Sequence, residues 1–321
     1  MRNVFMPATL SVLLLCACMK EELPVPSAIR GEAVTLQECL GPGYQNQLWI
    51  DLGSGTVVGS NAKEAWDLAF ESGPGGWRIW LNGARLMTVW DLGAVDIAAA
   101  HDTVGMAAGR RIDAPSGHPD STAIGDWRGR NAVFVVDLGF NTLGQPLGLR
   151  KFRFRQVSAE DFTMDVALLD GTQVQTMIVP KDPARHHTCF KLGVGVVGIE
   201  PQRRAWDVVL THYTHQFYDP VIPYLVVGLL SAPDVRVAQV SGMEFDAVQL
   251  VDTLQHPFNA ARDAIGYDWK DYSFEEAAYT VETRVVYIVQ DGDGYFFKLG
   301  FLDFYGAQGQ VGCPLMQVAP L

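Results

Sequence analysis

Hydrophobic and polar positions alternate with a period of two along most of this chain, the pattern of strands with one wet face. Phe152-Arg-Phe-Arg-Gln-Val157 shows it plainly. Residues 206–217 are rich in aromatic and β-branched side chains and predict one long strand. Tyr224–Leu230 is an unbroken apolar run, the mark of a buried strand. Residues 48–58 read as strand, glycine turn, strand, and Trp66–Phe70 as a further strand. Trp77–Leu81 precedes Asn82-Gly83, a dipeptide that predicts a hairpin. Val133–Leu138 with Leu149–Val157 predicts a hairpin, and so does Phe162–Leu169 with Val174–Val179 across Asp170-Gly171. Val235–Val240 reads as a strand, and Thr283–Val289 and Tyr295–Phe304 flank the turn Asp291-Gly-Asp-Gly294. Apolar residues three apart at Phe245, Val248 and Val251 predict a helical stretch over 245–254. Residues 93–130 show little periodicity and predict a long excursion with one short helix. The expected fold is all-β and antiparallel, with few short helices.

The pattern also repeats. Leu52, Gly53, Gly55, Val57, Ala65, Trp66 and Asp67 recur 140 positions later as Leu192, Gly193, Gly195, Val197, Ala205, Trp206 and Asp207. That period is domain-sized, too long for a solenoid. Two related β units in tandem are expected, residues 41–180 and 181–321, meeting at the turn-rich Pro180-Lys-Asp-Pro-Ala-Arg-His-His187.

The N-terminus changes the picture of where the chain works. Arg2 is followed by the apolar run Ala8–Leu15 and then Cys16-Ala17-Cys18, a signal peptide over residues 1–17 that is too short to span a membrane. Leu15-Cys16-Ala17-Cys18 resembles a bacterial lipobox, which implies lipidation of Cys18. Lys20-Glu21-Glu22 resembles the surface-export signal of Bacteroidetes lipoproteins. Residues 18–40, with two prolines in Leu23-Pro-Val-Pro-Ser27, read as a lipid-anchored tether. The expected place is the outer membrane, facing the cell exterior. Cys39, Cys189 and Cys313 remain in the mature chain; three is odd, and the spacing does not choose a pair.

With 24 basic and 36 acidic residues, net charge −12 opposes a phosphate backbone and excludes nucleic acid as a partner. Gly193-Val-Gly-Val-Val-Gly198 fits a dinucleotide fingerprint but leads into Glu200-Pro-Gln and a strand, so hairpin glycines are the reading. Asp291–Gly294 lacks the downstream acid of a calcium loop. His212 and His215, three apart on a strand, face opposite sides and form no chelating pair. Asp67 and Asp207 follow Trp on matching strands, which suits anchoring a turn more than acid–base work. No nucleophile elbow, zinc-protease motif or phosphate loop is present, so the chain does not read as an enzyme.

The segments Trp206-Asp-Val-Val-Leu-Thr-His-Tyr-Thr214, Pro223–Leu230, Ile265-Gly-Tyr-Asp-Trp-Lys270 and Tyr287–Tyr305 resemble the HmuY-like haem-binding lipoproteins of Bacteroidetes, in matching order over about residues 188–318. Trp66-Asp67 and Lys151-Phe-Arg-Phe154 extend the likeness to the first unit. The resemblance implies capture of haem or a related tetrapyrrole, axial ligation of iron by His or Met side chains, and transfer to an outer-membrane TonB-dependent receptor. After Trp269 the chain reads Lys-Asp-Tyr-Ser-Phe274, without the histidine that the family pattern implies. His256, Met243 and His212 stand as the candidate iron ligands. The alternative is a non-haem ligand-binding or transporter-associated lipoprotein.

Overall fold

The computed structural model describes residues 32–321, so the signal peptide and the Cys18 lipidation site lie outside the described residues. The first half carries β1 (Val34–Gln37), β2 (Asn46–Asp51), β3 (Thr56–Ala62), β4 (Leu68–Glu71), β5 (Ile79–Leu81), β6 (Thr88–Asp91), β7 (Phe134–Asp137), β8 (Leu149–Val157), β9 (Asp161–Ala167) and β10 (Gln175–Pro180). The second carries β11 (His187–Lys191), β12 (Gly195–Val197), β13 (Val208–Tyr218), β14 (Val221–Ser231), β15 (Arg236–Ser241), β16 (Lys270–Ser273), β17 (Ala278–Val281), β18 (Val285–Gln290), β19 (Phe296–Tyr305) and β20 (Val311–Pro320). The fold is all-β, and every strand pairing is antiparallel. Among the described residues no helix is long and apolar enough to cross a membrane.

Two five-stranded sheets stand in equivalent places, one ordered β10-β9-β8-β7-β6 and the other β1-β20-β19-β18-β15. The two four-stranded sheets each mix the halves. The hairpin β2–β3 pairs with β13, and the hairpin β11–β12 pairs with β4. The registers correspond through the 140-residue offset. Ile50 faces Val208 and Leu48 faces Leu210, while Phe190 faces Leu68 and Thr188 faces Phe70. Each half therefore lends its opening hairpin to the other, and the described residues form one compact unit.

The Trp-Asp pairs close this exchange. Asp67 Oδ2 accepts from the Leu192 amide at 2.6 Å, and Asp207 Oδ2 accepts from the Leu52 amide at 2.8 Å. The Asp67 amide in turn donates to the Phe190 carbonyl and the Asp207 amide to the Ile50 carbonyl. These are the turn anchors expected at Asp67 and Asp207, and both acids are buried. Trp206 is buried and meets Trp49 edge-on at 4.6 Å, a tryptophan of the borrowed hairpin. Burial of each large side chain stabilises by roughly 2–3 kcal/mol, so the seam is strongly held.

Some expectations change. Asn82-Gly83 does not turn a hairpin: Asn82 caps a short 3-10 turn, Gly83–Arg85, and the chain leaves β5 for β6 in another sheet. The Asn82 amide group donates to the Lys63 and Trp66 carbonyls, which holds this crossover. Residues 245–254 form two 3-10 turns, Phe245–Ala247 and Leu250–Leu254, and the 93–130 excursion holds only 3-10 turns. Cys39 pairs with Cys313, and Cys189 is free and buried. β1, β16, β17 and β20 are strands that periodicity alone does not pick out.

Candidate functional site

The long connections between edge strand and neighbour carry most of the chemistry. In the first half the chain leaves β6 and returns at β7; in the second it leaves β15 and returns at β18. Each excursion doubles back on its edge strand through a single bridge. The Val89 and Arg111 backbones exchange two hydrogen bonds of 3.0 Å, and those of Val237 and Asn259 exchange bonds of 2.9 and 2.8 Å. Each excursion is also gripped by a lysine of its sheet. Lys151 Nζ on β8 donates to the Ala99 carbonyl at 2.6 Å, and Lys298 Nζ on β19 donates to those of Phe245 and Val248 at 2.9 and 3.1 Å. Burial lowers both lysine pKa values, and spent on carbonyls these ammonium groups act as staples.

The first excursion encloses a surface groove of about 560 Å³, lined by Trp90, Leu92, His101, Val104, Met106 and Arg111 among others. That volume falls within the range of small-molecule sites, about 300–1,000 Å³. His101 Nδ1 and Trp90 Nε1 are buried there without a hydrogen-bond partner. Met106 is buried beside them, and Arg111 stands at the rim, 3.8 Å from Asp91. The groove thus offers an imidazole and a thioether, both of which ligate haem iron, beside an aromatic and aliphatic wall. Carried across the equivalent bridges, His101 and Met106 correspond to Gln249 and Leu254, so the second excursion has no such pair at these positions.

The sequence candidates fall elsewhere. His212 lies on β13 facing an interior cavity of about 110 Å³ between the mixed sheets, with the Tyr44 ring 5.0 Å away. Burial, aided by the nearby Lys63 ammonium, lowers its pKa to about 4, so it is neutral at physiological pH. His215 packs on the opposite side against Phe217 and Tyr267, as the strand alternation requires. Met243 packs with Phe245 and Phe258 on the outer face of β15 and β18. His256 follows the 3-10 turn Leu250–Leu254, its amide donating to the Asp252 carbonyl at 3.2 Å. Neither Met243 nor His256 lines that groove, the interior cavity or the further cavity described below. His101 and Met106 escape sequence reasoning because they lie where no period orders the side chains. The available signal is a His and a Met five apart, the His ten residues beyond an edge strand that carries Trp90.

A further cavity of about 690 Å³ opens between the excursions, lined by Trp80, His118, His186, Arg203 and Arg262 among others. His187 Nδ1 is hydrogen-bonded to Glu200 at 2.8 Å, and His186 Nε2 lies 3.2 Å from an Asp234 oxygen without hydrogen-bond geometry. Among the described residues no cluster of three His, Cys, Asp or Glu side chains is arranged to hold a metal ion.

A profile of the HmuY protein family matches residues 43–316, most of the chain. The chain belongs to the HmuY family. HmuY proteins are binding proteins. Among solved structures, apo PinO from Porphyromonas gingivitis is similar at 9% identity, covering 91% of this chain and 98% of its own, with a TM-score of 0.35. The apo HmuY analog of Tannerella forsythia is 13% identical, covering 50% of this chain and 89% of its own, with a TM-score of 0.24. A candidate HmuY-like haem-binding protein of Bacteroides vulgatus is 11% identical, covering 53% and 90%, also with a TM-score of 0.24. No curated protein matches the chain.

Proposed function

We propose that this HmuY-family protein captures haem in the groove of the first excursion, with His101 and Met106 as iron ligands. The observation that carries the reading is an imidazole and a thioether lining one groove of about 560 Å³, with the imidazole's own Nδ1 and the neighbouring Trp90 Nε1 buried without partners. Trp90 and Leu92 supply wall for the porphyrin face, and Arg111 supplies a cation for a propionate. Haem, when bound, brings the iron and the visible spectrum; the protein's part is to orient the macrocycle and exclude water from it. The protein acts as a lipoprotein anchored through Cys18 at the outer surface, and it hands its cargo to a TonB-dependent receptor. Titration of the purified protein with haemin, followed in the Soret band, tests the cargo. A saturable shift at micromolar protein is expected, weakened by about tenfold or more in H101A and in M106A. Absence of a shift in both iron redox states removes the haem reading.

The pair Met243 and His256, in the equivalent excursion, is the rival location. If M243A and H256A lose the Soret shift while H101A and M106A keep it, the cargo stands and the site moves to the second half. The stretch after Trp269 supports a different function. Its Lys270–Ser273 segment forms β16 and provides no imidazole, which favours a transporter-associated lipoprotein without haem. Pigment-free co-purification with an outer-membrane receptor would support that reading.

A further inference from the structure

The cavity between the excursions is distinct from the haem groove and has its own chemistry. Its lining is contributed by both halves: Trp80 on β5, Ser116–Pro119 in the first excursion, His186 and His187 at β11, and Asn259–Arg262 in the second excursion. Its volume of about 690 Å³ suits a small molecule. Arg262 sits at its inner wall and also lines the interior cavity behind it. The guanidinium is seated by construction. Its Nε donates to the Ser231 carbonyl at 2.8 Å, its backbone amide donates to the Ser116 carbonyl at 2.8 Å, and its stem packs on Gly117, where a Cβ would lie 2.5 Å from Arg262 Cδ.

What Arg262 lacks is an ion-pair partner. Among the described residues no carboxylate lies within 4 Å of it; Glu200 and Asp263 act on it only from further away. Arg203, on the same cavity, donates its Nε to the Arg185 carbonyl and likewise has no ion pair among the described residues. The two acids of the lining are already engaged: Glu71 with Arg78 and the Trp77 and Arg78 amides, and Asp234 with His186. A partly buried guanidinium without a contacting carboxylate is costly unless an anion completes it. Beside it stands a flat surface. Trp80 is half-buried, its ring fixed edge-on to His187 at 4.8 Å, and Pro119, Pro233, Ala260 and Ala261 add apolar wall.

We infer that this cavity binds an aromatic carboxylate, its carboxylate paired with the free edge of the Arg262 guanidinium and its ring set against Trp80. The site stands on the residues of the cavity alone and does not depend on haem capture. Isothermal titration with sodium 1-naphthoate tests it, with the uncharged 1-naphthamide as the comparison. One saturable site for naphthoate is expected, with naphthamide weaker by about tenfold or more, because charge-assisted hydrogen bonds carry recognition. R262Q is expected to weaken naphthoate by a similar factor, and W80L to weaken naphthoate and naphthamide alike. R262Q should leave the haemin titration unchanged, which separates the two sites. Equal affinity for acid and amide, full naphthoate binding by R262Q, or no binding at millimolar naphthoate overturns the assignment. Should R262Q not fold, R262K decides: it keeps the charge but not the two-pronged geometry, so undiminished naphthoate binding there also overturns it.

Discussion

Two acids that occupy matching positions are predicted to behave in opposite ways. Asp67 is paired with Arg85 at 2.7 Å, and both side chains are at most 5% exposed. Among the described residues the Asp207 carboxyl has only the Leu52 amide as a hydrogen-bond partner, and burial pushes its pKa up to about 7. Replacing Asp67 by Asn leaves a buried guanidinium without its counter-charge, and a loss of about 3–5 kcal/mol is expected in urea unfolding. For Asp207 the folded state holds a proton that the unfolded chain releases near its ordinary value of 3.8. The stability from that group is full below the unfolded pKa and is lost as pH rises through about 7. D207N keeps an acceptor for the Leu52 amide and never ionises. Relative to the parent it should gain stability between pH 5 and pH 8, by up to about 2–3 kcal/mol. Parallel denaturation curves at the two pH values check this; an unchanged difference would mean Asp207 ionises freely. His212 works the other way, since its depressed pKa removes stability as pH falls from the ordinary 6.5 towards about 4. Cys189 adds a simple check. Burial raises its thiol pKa, so it should react with a thiol reagent only after unfolding.

At the scale of elements, what the sequence made legible follows the rule of period. β8 alternates because one face is partly wet, β13 is legible from its aromatic and β-branched content although both its faces are buried over most of its length, and the 140-residue echo of Trp66-Asp67 at Trp206-Asp207 marks real equivalence in hydrogen bonding. The exchange of hairpins was not legible, because β2 and β11 carry the same apolar pattern whichever neighbour they pair with. Asn82-Gly83 misled for a related reason: the dipeptide has a strong turn preference, but Asn82 spends its side chain on distant carbonyls. The groove was least visible. Its walls are set by a bridge at Arg111 and by Lys151 reaching the Ala99 carbonyl, both long-range contacts with no local signature. That lysine yields a prediction. In K151M the staple beside His101 is gone, so amide hydrogen exchange should quicken over residues 96–106 while β18 and β19 stay protected. If His101 acts as an iron ligand, haemin affinity should fall as well, by about tenfold, because the ligand must then be ordered on binding. Unchanged exchange in 96–106 would show that the bridge at Arg111 alone holds the excursion.

The whole molecule is built so that neither half completes all of its sheets: only β10-β9-β8-β7-β6 comes from one half among the four large ones. β13 and β14 need β2 and β3 to cover Trp49 and Trp206, and β4 and β5 need β11 and β12 to bury Phe70 and Phe190. β1 and the Cys39–Cys313 disulfide tie the start of the described chain to β20 near its end. The bond closes a separation of 274 residues, and by loop entropy it should contribute about 2–5 kcal/mol. Unfolding should therefore be one transition, not two, although segments of the sequence recur at an offset of 140 residues. A chain of residues 181–321 expressed alone would leave the β13 edge and the Trp206 face uncovered, and it should show no cooperative melt. Adding residues 32–180 as a separate chain should restore it, since each fragment returns the hairpin the other lacks. Should 181–321 melt cooperatively alone, with native-like protection of β13, the exchanged hairpins would be accessories and the halves true independent domains. The distinction bears on cargo as well. If the halves stand or fall together, a ligand in the first excursion raises the stability of β18 to β20 too, and haemin should shift a single transition in proportion to its occupancy.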